Sequence, residues 1–309
     1  MQRPSIRETC ILLTLLLDAL GAGLGAPALP DLLAGMGQAG LDPSLALGLF
    51  HAAYAGALFL CAPLLGRLSD LYGPRPVLLL AMAGCLAANA LATVAASVEQ
   101  LLVTRVVAGI CGASAAPAYA YITDLTPPER RPALCGLMGA ALGLGFVIGP
   151  ALGGLLGAAS PRWPFGAAAC LAGLNLAFGW VALTERRPSW PRSGRLRGAD
   201  LNPFALLLSW RAPGLVRGLL AGLFLYALGQ GAVLATWPLF GRVVLGWNAA
   251  EIGASLTALG LVWVLAQIGL TPWAIRRFGE ADTLLLGILT TTIGYALFGL
   301  GRTLSLIHL

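Results

Sequence analysis

The feature that most restricts this chain is the recurrence of apolar windows about twenty residues long, the length a helix needs to cross the hydrocarbon core of a bilayer. They fall at 9–30, 45–66, 76–95, 100–122, 133–157, 164–183, 214–240, 250–274 and 282–301. Charged residues make up only 10% of the 309, and mean hydropathy is +0.83. A soluble domain of this size would need more charge to cover its surface. The reading is an all-α, multi-pass membrane protein with about nine spans. The first window is longer than a signal-peptide core and carries Asp18, so it counts as a span.

All 19 basic residues are arginine. Without lysine there is no Walker A phosphate loop and no Schiff-base chemistry. The two histidines, His51 and His308, are too far apart for a zinc motif, and the six cysteines lie singly in or beside apolar runs. The expectation is therefore a protein that is not an enzyme, holds no metal site and needs no cofactor. The arginines also orient the chain. With the N-terminus inside, the inner segments hold Arg67, Arg75, Arg130, Arg131, Arg276 and Arg277 together with the cluster from Arg186 to Arg197, whereas the outer segments hold Arg162, Arg242 and Arg302. Such a bias places the N-terminus on the cytoplasmic side of the membrane. It also accounts for the net charge of +6 without a nucleic-acid partner.

Within the fifth window, Gly139 to Gly157 reads GAALGLGFVIGPALGGLLG. Gly145, Gly149 and Gly153 recur every fourth residue and form a smooth stripe along one helix face, where backbones can approach closely. Pro150 removes a backbone donor in the middle of the stripe. Taken alone, this fits any closely packed membrane helix. The full string, through Gly153 and Gly154, resembles the antiporter signature of drug/proton antiporters of the Major Facilitator Superfamily.

Three further features bear on function. Asp18 is the one acid deep in a window, and a carboxylate at mid-bilayer costs about 2.5–3.5 kcal/mol on insertion scales. We read it as a proton-coupling or ligand-orienting group, against the alternative of an acid satisfied by neighbouring donors. Arg105, followed by Gly109 and Gly112, resembles the superfamily's fourth-helix motif, whose arginine is associated with proton transfer; the alternative is an arginine snorkelling to the interface. The loop Gly66-Arg-Leu-Ser-Asp70-Leu-Tyr-Gly73-Pro-Arg75 resembles the superfamily's signature loop, in which the acid latches one bundle to the other, with Leu71 and Pro74 at two positions that are usually basic.

The chain also repeats itself. Asp18-Ala-Leu-Gly-Ala-Gly23, ending at Pro30, aligns with Tyr226-Ala-Leu-Gly-Gln-Gly231, ending at Pro238, and Leu71-Tyr-Gly-Pro with Arg277-Phe-Gly-Glu. Spans seven to nine thus repeat spans one to three in the same orientation. The domains expected are a six-helix bundle at 1–183, a basic cytoplasmic linker at 184–213, and a partial second bundle of three helices at 214–309. Counterparts of spans four to six, roughly a hundred residues, are expected beyond position 309, so the chain reads as truncated at its C-terminus.

With these motifs placed, the likeness narrows to the tetracycline/proton antiporters of Gram-negative bacteria, the TetA-type exporters. It is carried by LDALGAGLGAPALPDLL, CAPLLGRLSDLYGPRPVLL, RVVAGICGASAAPAYAYITDLTPPERR, ADLNPFALL and EIGASLTALGLVWVLAQ. The resemblance implies export of a drug, in that family a metal chelate of tetracycline, in exchange for protons. Asp18, Arg105, Asp124 and Gln267 stand at matching positions, and Gln230 lies in the repeat of the first span. Where that family has an acid, a glutamine and a histidine, this chain has Asn89, Leu58 and Trp263. The implied substrate pathway comprises Asn89, Gln230, Trp263 and Gln267, and the implied loop latch Gly66, Asp70, Gly73, Arg75 and Asp124. The implied partners are a small molecule, protons and the bilayer, with no obligate protein partner. Transport of another metabolite by symport or facilitated diffusion, or a receptor on the same scaffold, is the alternative.

Overall fold

A computed structural model describes residues 6–36, 42–112, 117–118, 121, 126–127, 130–183, 202–204 and 214–300. All regular elements among them are helices: α1 (Ile6–Gly25), α2 (Leu29–Gly35), α3 (Pro43–Tyr72), α4 (Pro74–Val94), α5 (Val98–Cys111), α6 (Arg131–Ala159), α7 (Trp163–Ala182), α8 (Gly214–Val243), α9 (Ala249–Leu265), α10 (Thr271–Phe278) and α11 (Glu280–Leu300). Seven continuous helical stretches among the described residues are long and apolar enough to cross a membrane.

Three boundaries differ from the sequence windows for local reasons. The first window breaks in two: α1 stops at Gly25 and α2 starts at Leu29. Pro27 and Pro30 have no N–H to continue the ladder, and Pro30 suits the first turn of a new helix. The helix of the fourth window, α5, starts at Val98, where Ser97 caps it by accepting from the Gln100 N–H. Arg105 therefore lies two turns inside α5. The eighth window is interrupted by a π-helical turn at Ala266–Leu270. Pro272 has no donor for the carbonyl of Ile268, so the hydrogen-bond register shifts there.

The described chain forms two compact units, Met1–Thr257 and Ala258–Leu309. In the first, α1 packs along α6 and α7, α3 along α5, and α4 against α5 and α7. Three apolar clusters hold it together, the smallest being Leu20, Leu24 and Ala168. Ile11, Leu15, Leu78, Met82 and Met138 form another, and Leu29, Leu32, Leu33, Leu47, Phe50, Leu101 and Phe165 the third. In the second unit α10 and α11 meet across Gly279, with Trp273 edge-on to Phe278 at 5.8 Å.

The internal repeat is visible in the backbone. Gly73 joins α3 to α4 at φ 94°, and Gly279 joins α10 to α11 at φ 86°. Each glycine N–H closes the preceding helix on the carbonyl four residues back, Ser69 and Ile275, at 2.9 Å. A left-handed φ with room for a single-residue reversal is what glycine provides.

Candidate functional site

Small residues determine where the helices of the first unit touch. A β-carbon on Gly145 would lie 2.6 Å from the Ala19 β-carbon and 2.7 Å from the Leu16 carbonyl, and one on Gly149 would lie 2.8 Å from the Leu20 carbonyl. Gly153 meets the Leu24 carbonyl in the same way, so the expected stripe is the seam between α6 and α1. Gly154 faces elsewhere. Its β-carbon would come within 2.6 Å of the Ala249 carbonyl and 3.0 Å of the Gly253 Cα, on α9. Beside it the Thr257 hydroxyl donates to the Val147 carbonyl at 3.1 Å. Pro150 stands between the two faces, against Gly23 on α1 and with its carbonyl against Gly253 on α9. One helix thus carries two glycine surfaces and a proline between them.

Within the first unit, four helices converge on a polar centre. α1 contributes the half-buried Asp18, α3 Phe50, His51 and Tyr54, α4 Cys85 and Asn89, and α5 Arg105. Tyr54 and Cys85 both lie within electrostatic reach of Asp18 and Arg105. The Arg105 guanidinium carbon sits 4.6 Å from the centre of the Phe50 ring, a cation–π contact, and its Nε is buried without a hydrogen-bond partner. Asn89 is buried and turns its amide back onto its own helix, donating to the Cys85 carbonyl at 2.9 Å. His51 Nδ1 lies 3.0 Å from the Leu47 carbonyl. Close approach of α5 to α3 makes this possible, because a β-carbon on Gly109 would lie 2.7 Å from Ala57 and one on Gly112 2.9 Å from the Tyr54 hydroxyl. Asp18, Asn89 and Arg105 are therefore brought into one neighbourhood.

The loop residues gather at the α3–α4 reversal. Asp70 is exposed and lies 3.9 Å from Arg67, one turn back on its own helix. Arg75 reaches across to α7 and donates to the Trp180 carbonyl at 3.2 Å. Gly66 has open space around it. Asp124 lies outside the described residues. Gln230 is half-buried on α8. In the second unit, Trp263 is 52% exposed near the end of α9, and Gln267 lies in the π turn.

Two polar features had no signature in the sequence. The Thr14 hydroxyl on α1 donates to the Asn175 side-chain oxygen on α7 at 3.2 Å, fully buried. Arg242 Nε meets Asp31 Oδ1 at 2.7 Å across 211 residues. Neither could be paired from spacing, since nothing local announces a partner so distant. Among the described residues, no group of three or more His, Cys, Asp or Glu side chains could hold a metal ion.

Known proteins resemble this chain in sequence and in fold. The chain is 40% identical over 287 residues to a class C tetracycline resistance protein of Escherichia coli, covering 93% of this chain and 72% of that one. It is 36% identical over 297 residues to a class G tetracycline resistance protein of Vibrio anguillarum, covering 94% and 74%. Among solved structures, the human organic anion transporter MFSD10 matches with a TM-score of 0.75 at 27% identity, over 99% of this chain and 81% of that one. Residues 11–309 match the Major Facilitator Superfamily family as a whole. With its all-helical build, its membrane-length helices and the resemblance of its α6 string to the superfamily's antiporter signature, the chain belongs to the Major Facilitator Superfamily.

Proposed function

We propose that this protein is a secondary transporter that exports a small, tetracycline-like drug across the bacterial inner membrane in exchange for protons. The observation that carries the proposal is the polar centre: a single carboxyl, Asp18, set among Tyr54, Cys85 and Arg105 from three other helices. A carboxyl held in an apolar bundle is a group that can take a proton from one side and release it to the other as helices rock. The similarity to tetracycline resistance proteins supports the drug and the direction.

The architecture that accompanies this reading is nine spans with a cytoplasmic N-terminus, six before the basic linker at 184–213 and three after it. The arginine distribution and the internal repeat support it. Asp18 and Arg105 serve proton coupling, and Asn89, Gln230, Trp263 and Gln267 contact the drug. The turn residues Gly66, Asp70, Gly73 and Arg75, with Asp124, govern the exchange between states. Any metal ion travels with the drug as its chelate. The protein itself needs no cofactor and no protein partner.

Uptake of tetracycline into inverted membrane vesicles that hold the full-length protein tests this reading. Accumulation driven by an imposed pH gradient, and collapsed by a protonophore, is the expected result. Vesicles that accumulate no drug under either condition would overturn it.

A further inference from the structure

Asp31 lies in α2, the short helix that follows α1, and Arg242 lies in the last turn of α8. Their side chains meet at 2.7 Å, and Arg242 Nη1 also donates to the Trp247 carbonyl at 3.4 Å. The surroundings form a continuous contact. Leu239, one turn before Arg242, packs against the cluster built by Leu29, Leu32, Leu33 and Phe50. Gly241 lets α8 approach Trp247 and Ile252, where a β-carbon would meet ring and side-chain carbons at 3.1–3.2 Å. Trp237 stacks on Phe240 and donates from its indole to the Ser255 hydroxyl at 2.9 Å. The last turn of α8 thus meets the segment that follows the C-terminal end of α1, so this contact lies at the membrane end opposite the N-terminus of α1.

We infer that Asp31 and Arg242 form a latch on that face, a pair of positioning residues that sets how often the polar centre opens to it. The inference rests on the transporter reading for the cycle in which that face opens and closes. An ion pair at a partly exposed rim is weak, which suits a contact that must be released in every cycle. A contact made in one state and broken in the other shifts the balance between them by its own worth and no more. The apolar cluster beneath supplies the fit, and the ion pair supplies a bias that a single substitution removes.

Hydrogen–deuterium exchange of the purified protein tests it, with Arg242→Gln, Asp31→Asn and the exchanged pair Asp31→Arg/Arg242→Asp. Each single variant is expected to exchange about two- to fivefold faster, the shift that loss of a partly exposed ion pair allows. The effect should extend beyond residues 29–36 and 237–247 to residues 46–58 of α3, which lead to the polar centre, and the exchanged pair should return all three to the wild-type rate. Faster exchange confined to the two ends, or an exchanged pair as fast as the single variants, would overturn the latch. Exchange is read without any drug flux. A protein that shows this pattern yet moves no drug overturns the transporter reading and leaves the latch standing.

Discussion

A β-carbon on Gly23 would lie 2.8 Å from Cδ of Pro150, so α1 and α6 touch backbone to ring with no side chain between them. Such contact replaces the hydrophobic drive that lipid does not supply between helices. Proline and glycine serve one purpose here: the ring forms a knob, and the missing side chain leaves its socket.

This predicts a sharp positional contrast along one helix. Gly149→Leu places a branched side chain against the Leu20 carbonyl and Gly23 and should destabilise the protein by about 1–3 kcal/mol while abolishing transport. Gly139→Leu, with nothing within 4 Å of its β-carbon, should do neither. Thermal unfolding in detergent and drug accumulation in cells read the two. Equal behaviour of both variants would mean that the stripe is compositional only.

The stripe was legible because a four-residue period of glycine survives any detail of packing. Gly157 continues that period to the helix end, and what the spacing did not name is its neighbours: a β-carbon there would meet Ala28 at 2.8 Å and Ala249 at 3.2 Å. The reason is the break between α1 and α2, which brings Ala28 to the end of α6, a consequence of two prolines that an apolar window smooths over. The repeat was legible at Gly73 and Gly279 because left-handed turns demand glycine. The π turn at Ala266–Leu270 was not, since Pro272 announces a missing donor but not whether the helix ends, kinks or shifts its register there. Asp18 and Arg105 stood out as charges in apolar windows. Tyr54 and Cys85, which share their neighbourhood, look like ordinary window residues until the helices are assembled.

The twin reversals make a second prediction. Gly73→Ala and Gly279→Ala each force a β-carbon into the left-handed region, at a cost of about 1–2 kcal/mol. The two losses should be similar, because both turns close on the carbonyl four residues back with the same 2.9 Å bond. Unfolding midpoints of the two variants measure this. A cost at only one position would contradict the equivalence of the turns.

A third prediction concerns Arg105 and Phe50. The cation–π contact between α5 and α3 should appear as a coupling of about 1–2 kcal/mol in a double-mutant cycle of Arg105→Gln and Phe50→Leu. Thermal stability is the readout, so the result does not depend on the substrate. Strict additivity of the two substitutions would show that the ring merely lies near the charge.

The central claim is that proton coupling rests on Asp18, the one acid deep in an apolar window, while the neighbouring Asn89 turns its amide onto its own helix. The most direct measurement is gradient-driven tetracycline uptake into inverted vesicles for wild type and Asp18→Asn, together with drug binding to each purified protein. The amide keeps shape and hydrogen bonding and fixes the charge at zero. Binding should stay within about threefold, the change expected where contacts are retained and about 0.6 kcal/mol or less is lost, while accumulation under an imposed pH gradient disappears. Gradient-driven uptake that survives in Asp18→Asn would contradict the account.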